Sequence, residues 1–131
     1  EMPRHGKNAA CCGSGASAFF PDSFQAVREE RLLEAVNTGA DTLVDVCHFC
    51  HNTFATAEQT HGLQVENYIA LIARSAGIER EDTFKKYRQL GDANRILANM
   101  QKKITCSPYP PEVIRKALEQ AIDPAEYQEG G

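Results

Sequence analysis

The sequence predicts an α/β fold, a partial Rossmann-like parallel-sheet lobe with a predominantly helical C-terminal half. Three observations carry that expectation. Thr42-Leu43-Val44-Asp45-Val46 is a β-prone run bounded by Gly39 and a cysteine cluster, the pattern of a short buried strand. A helical segment precedes it and another follows it, the alternation that builds parallel sheets. From residue 66 onward apolar residues recur mostly at helical spacing.

The first fifteen residues have neither helical nor strand period and carry Pro3, Gly6, Gly13 and Gly15 around Cys11-Cys12, so they read as a loop. Pro21-Asp22-Ser23 opens a helix over 22–37, with Asp22 or Ser23 as N-cap, Val27, Leu32, Leu33 and Val36 on one face, and Gly39 as the stop. The strand at 42–46 should place Cys47 at its C-terminal end, beside a parallel partner expected just before residue 1. A helix from Cys50 to Gly62 then points its N-terminus at the cysteines. Tyr68, Ile69, Leu71 and Ile72 predict a helix over 66–76 closed by Gly77. Phe84, Tyr87 and Leu90 line the next helix; Gly91-Asp92 offers a break before Ile96, Leu97 and Met100, so two helices or one kinked one both fit. Pro108-Tyr109-Pro110-Pro111 must be extended, because a residue before proline is pushed out of the α region. It links to a helix opened by Pro111, lined by Ile114, Leu118 and Ile122, and stopped at Asp123-Pro124 before a frayed tail.

Composition narrows the function. Fourteen basic against eighteen acidic residues, a net charge of −4, exclude a module that holds nucleic acid by bulk electrostatics. The longest apolar run, Tyr68 to Ala73, falls far short of the roughly 20 residues that cross a bilayer, so no direct membrane insertion is expected. No export signal is expected, and five cysteines, two adjacent and two in a C-x-x-C, suit a reducing, cytoplasmic compartment and a metal or redox site.

Cys11-Cys12 and Cys47-x-x-Cys50 are separated by thirty-four residues that hold one helix and one strand, an arrangement able to bring four thiols to one sheet edge. Tetrahedral thiolate suits zinc and iron-sulfur clusters alike, so spacing leaves the metal open. A structural zinc site closed by four thiolates and cofactor-free thiol-disulfide exchange at Cys47 and Cys50 are the alternatives. His48 and His51 flank Cys50 closely enough to replace a ligand or tune one by hydrogen bonding. His5 and His61 warrant no role, Cys106 reads as structural or incidental, and Glu29, Glu30 and Glu34 read as a solvated helix face.

Cys11-Cys12-Gly13-Ser14-Gly15, the thirty-four-residue gap, Cys47-His48-Phe49-Cys50 and the preceding Glu1-Met2-Pro3-Arg4 together resemble the cysteine-rich CCG domain. That domain occurs in the heterodisulfide reductase catalytic subunit and in related iron-sulfur subunits, including those of glycolate, lactate and glycerol-3-phosphate oxidation. The resemblance covers residues 1–77 as the C-terminal half of such a domain. Residues 78–107 are then a helical extension, in which Tyr87-Arg88-Gln89-Leu90 is similar to tails on long members, and 108–131 a proline linker, terminal helix and tail.

The resemblance implies a non-cubane four-iron iron-sulfur cluster, or zinc in some members, with Cys11, Cys12, Cys47 and Cys50 at the ligand positions. It also implies electron transfer within an oxidoreductase, and partners among other subunits of a redox complex, a membrane-bound cytochrome subunit included. Such a subunit would be cytoplasmic and peripheral on the inner face of the membrane through its partner. The family pattern has a further cysteine upstream of the pair, which this sequence lacks. The expectation is therefore the C-terminal fragment of a longer subunit, inactive by itself toward heterodisulfide or hydroxy-acid substrates.

Overall fold

The computed structural model describes residues 1–122, so the expected stop at Asp123-Pro124 and the tail lie outside the described residues. Two compact units form, Glu1–Lys85 and Lys86–Gly131. Among the described residues no helix is long and apolar enough to cross a membrane.

The first unit is mixed α/β. Its N-terminal segment contains only two single 3₁₀ turns, Gly6–Asn8 and Ser14–Ala16, in keeping with the expected loop. Helix α1 spans Pro21–Val36. It starts at the proline rather than at Asp22 or Ser23, because proline's fixed φ and missing N–H cost nothing in the first turn. Phe20 takes the cap position without a side-chain bond, and Asp22 sits in the first turn, where the helix dipole favours a carboxylate. The face that α1 buries also differs from the expected one. Arg31, Leu32 and Ala35 face inward, whereas Val27, Leu33 and Val36 are all more than a third exposed. An arginine disguised that face in the sequence.

Strand β1, Thr42–Asp45, pairs in parallel with β2, Gln64–Asn67, in the register Thr42↔Gln64 to Asp45↔Asn67. The partner of β1 among the described residues thus follows it in the chain, and the partner expected before residue 1 lies outside them. The connection holds two helices, α2 at His48–Phe54 and α3 at Ala57–His61, in place of one helix from Cys50. Gly62 ends α3 in the left-handed region at φ 68°. Strand β2 passes without a break into α4, Tyr68–Ser75, because Asn67 both ends the strand and caps the helix, its Oδ1 accepting from Ile69 N at 3.1 Å. Gly77, at φ 74°, closes α4 with Gly77 N donating to Arg74 O and Ile78 N to Ala73 O, a Schellman stop.

The core of this unit is small: Leu32, Ala35, Leu43, Phe54, Ala57, Leu63 and Val65, with Cys12 as a full member and Met2 and Cys50 packed against it. Leu32 and Val65 are wholly buried, each worth about 1.5–3 kcal/mol of apolar burial. Two of the expected site cysteines therefore belong to the packing that holds the lobe together. The N-terminal segment is pinned to α1 by charge. The Arg4 guanidinium bonds Glu34 and lies 3.1 Å from Glu30, while Arg31 Nη1 donates to Glu34 at 2.6 Å and to Arg4 O at 2.7 Å. Glu34 is consequently no part of a solvated face. Burial opposes its ionisation, yet the hydrogen bonds from Arg31 and Arg4 prevail and hold its carboxyl below the ordinary value.

The boundary between the units falls within α5, Thr83–Leu90. The second unit continues with α6, Ala93–Asn99, α7, Gln101–Thr105, and α8, Pro111–Ile122. Gly91, at φ 59°, breaks the chain after α5, and Asp92 caps α6 by accepting from Arg95 N at 2.8 Å, so the two-helix alternative is the one adopted. Ile96 and Leu97 are buried, and Arg115 of α8 donates to Asn94 of α6 at 2.6 Å.

Candidate functional site

The C-x-x-C lies where β1 gives way to α2. Cys47 keeps extended backbone (φ −90°, ψ 132°) as the N-cap residue, and its carbonyl accepts the first helical bond from His51 N at 3.0 Å. The helix begins two residues earlier than expected, so the first turn of α2 carries Cys50 within it. Cys47 is exposed, and its sulfur faces the first-turn amides without closing a cap hydrogen bond. The N–H groups of Cys50 and Phe49 favour its thiolate and lower its pKa from 9.0, outweighing burial and the nearby Asp45 charge.

Cys50 sits in the opposite environment. Half-buried against the core, its thiol is pushed up to about 12, first by burial and then by the neighbouring sulfurs of Cys12 and Cys47. Cys12 is buried at 3% exposure, and the turn Ser14–Ala16 that follows it packs on α1 and α2. Cys50 thus has sulfur neighbours from both motifs, Cys12 and Cys47, which lie far apart in the chain. Cys11 is exposed, and its sulfur accepts from Gly13 N at 3.4 Å. Among the described residues, no three His, Cys, Asp or Glu side chains converge as a ready site for a metal ion. The donor chemistry nevertheless fits zinc or an iron-sulfur cluster, since the set is all thiol and thus soft.

Gly13 makes the Cys11-Cys12 turn possible. It is left-handed at φ 82°, and a Cβ there would meet Phe24 Cδ2 and Val27 Cγ1, both at 3.3 Å. Gly13→Ala is expected to destabilise the fold by about 1–2 kcal/mol from the left-handed backbone alone. Urea unfolding followed by circular dichroism measures this, and an unchanged midpoint would contradict it.

His51 is neither exposed nor a candidate ligand. It is 4% exposed, with Nδ1 2.7 Å from Asp45 Oδ2 and Nε2 2.7 Å from Asp82 Oδ2. Both ring nitrogens are engaged by carboxylates, so neither is free to take a metal. Asp45 Oδ1 accepts from Asn67 Nδ2 at 2.8 Å, and Asp82 Oδ1 from Lys85 N at 2.9 Å. Phe84 covers the assembly, its ring 6.0 Å from that of His51 and 5.2 Å from that of the exposed His48. Sequence reasoning missed Asp45, Asn67 and Asp82. One signal was present, for strand alternation puts Asp45 on the same face as buried Leu43, and a buried carboxylate demands a partner. Of the residues set aside, His61 bonds Glu29 at 3.0 Å, and Cys106 is exposed at the end of α7 in the second unit.

Comparison with known proteins bears out the resemblance carried by the cysteine motifs. Residues 1–55 match the family model described as CCG, cysteine-rich domain. The chain is 33% identical over 85 residues to a subunit of the dihydromethanophenazine:CoB–CoM heterodisulfide reductase of Methanosarcina acetivorans, a match covering 62% of this chain and 21% of that protein. The corresponding subunit of Methanosarcina mazei is 35% identical over 83 residues, covering 60% of this chain and 20% of its own. That of Methanosarcina barkeri is 33% identical over 82 residues, with the same coverage. The chain spans about a fifth of the length of these curated relatives. No solved structure gives a significant match.

Proposed function

We propose that this chain holds an iron-sulfur cluster and passes electrons within a heterodisulfide reductase-like oxidoreductase, with Cys11, Cys12, Cys47 and Cys50 as the ligands. The observation that carries the reading is that Cys50, in the first turn after β1, has the sulfurs of both Cys12 and Cys47 as neighbours. Bound there, a cluster would supply one-electron chemistry at a potential tuned by its surroundings. The chain's own residues have distinct parts. The amides of Phe49 and Cys50 favour the thiolate of Cys47, the form that binds metal. Gly13 lets the backbone turn closely between the adjacent cysteines and α1. The similarity to proteins named as heterodisulfide reductase subunits supports other members of such a complex as partners. Substrate groups and an electron donor would come from them, so the 131-residue chain alone should not turn over a heterodisulfide.

The test is metal analysis of the full chain after anaerobic reconstitution with iron and sulfide. Iron with acid-labile sulfide is expected. Cys12→Ser and Cys47→Ser should each lower the iron content severalfold, whereas Cys106→Ser leaves it unchanged. Stoichiometric zinc in a protein that refuses iron would replace the redox reading with a structural site. Metal-free protein holding a titratable Cys47/Cys50 dithiol would favour thiol-disulfide exchange, a reading to which the unequal environments of these two thiols lend some support.

A further inference from the structure

We infer that the Asp82–His51–Asp45 bridge is a positioning device for the cysteine turn, setting Cys47 and Cys50 in place to act as a pair. The inference rests on the proposed joint use of these thiols.

The turn needs such a device. Helix α2 has only seven residues, too few to be stable by itself, and no side-chain cap bond supports its start. Cys47, His48 and Phe49 are exposed, so packing does not hold the outer side of the turn either. The inner side rests on the core through Cys50, and one imidazole supplies the polar tie. His51 lies one turn into α2, and its Nδ1 bonds back to Asp45, the last residue of β1, closing a loop that contains both cysteines. Asp45 is in turn bonded to Asn67, its registered partner at the end of β2. The Nε2 bond runs the other way, to Asp82, whose second oxygen caps the first turn of α5. A single ring therefore ties the ends of both strands and the starts of two helices to the segment between Cys47 and Cys50. Buried polar networks with every member satisfied are rigid, and rigidity at a ligand turn is what pairs two sulfurs.

Asp82 offers the test, because its two roles separate. Its side chain is 29% exposed, so changes there are tolerated better than at His51 or Asp45. Asp82→Ser keeps a good helix cap but is too short to reach the imidazole; Asp82→Asn keeps the cap through its oxygen and turns its amide nitrogen to the ring, where it donates to Nε2 of the tautomer whose Nδ1–H goes to Asp45. The probe is cobalt(II) added to the reduced full chain, read by the thiolate-to-cobalt charge-transfer band. Asp82→Ser should weaken cobalt binding about tenfold or more, the usual effect of losing an outer-shell partner, while Asp82→Asn stays near wild type. Equal binding by the serine variant and wild type would overturn the inference, as would an asparagine variant as weak as the serine one. Asp82→Thr supplies the same comparison should the serine variant not fold.

If wild type gives no charge-transfer band, the ligand reading fails, and the positioning role is decided on metal-free protein. There an aromatic disulfide reagent is attacked by Cys47, releasing one aryl thiolate. Cys50 then displaces the second, leaving a Cys47–Cys50 disulfide. Asp82→Ser should slow that second, intramolecular step about tenfold or more, since misplacing one reacting group forfeits effective molarity. An unchanged rate would remove the positioning role.

Discussion

In the reduced, metal-free chain near neutral pH, iodoacetamide is expected to modify Cys47 far faster than Cys50. An ordinary thiol at 9.0 and one at about 12 differ in thiolate fraction by about a thousandfold at such pH. The more basic thiolate is the better nucleophile, with a Brønsted slope of about 0.4–0.5, which returns a factor on the order of 20–30. Cys50 should therefore lag an unperturbed thiol by about thirtyfold or more. Cys47 should lead it at neutral pH, since its amide neighbours lower its pKa and it is exposed. As pH falls, Cys47 modification fades only below the usual thiol range; as pH rises, Cys50 modification grows only on approach to about 12. The same shift makes the metal-free fold lose stability between 9.0 and about 12, because the unfolded Cys50 ionises across that window while the folded one keeps its proton. Quantitative mass spectrometry of alkylated peptides against pH checks the assignment. Comparable rates at the two cysteines would refute it.

His51→Leu is expected to destabilise the first unit by about 3–5 kcal/mol, the cost of leaving a buried charge without its partner. Leucine roughly fills the space of the ring but strips Asp45, 5% exposed, of its imidazole and leaves it with Asn67 alone. Against the ~5–15 kcal/mol stability of an ordinary domain this is a large fraction. Asp45→Asn combined with His51→Leu removes the stranded charge and should recover part of the loss, so the coupling is read from a double-mutant cycle in urea. A single-variant cost under about 1 kcal/mol would mean that the network is solvated in solution and contributes little.

Much of this molecule was legible from residues alone, and for local reasons. Pro111 presets a first helical turn, Gly62 and Gly77 supply left-handed stops, and Asp92 caps α6; each depends only on the chain within a few residues of itself. The cysteine motifs were legible in the same way, because adjacent thiols and a C-x-x-C have few uses besides metal and redox chemistry. Strand β2 was not. It is four residues long, Val65 is its only β-branched residue, and it runs directly into a helix whose period swallowed it. The inward face of α1 was obscured by Arg31, which is buried only because Glu34 and Arg4 O satisfy it.

The choice of candidate thiols and the strand-turn-helix that carries two of them follow from sequence, since residue type and short-range backbone preference decide both. Tertiary structure alone decided how these thiols differ. Whether a sulfur lies over helix amides, as Cys47 does, or against the core beside two others, as Cys50 does, depends on what the fold brings to it. So does the fate of His51, which turns from a candidate ligand into a bridge because Asp45, six residues before it, and Asp82, thirty-one residues after it, arrive on its two nitrogens. Burial and charge pairing are set by neighbours distant in sequence, and their energies exceed the local preferences from which a sequence is read.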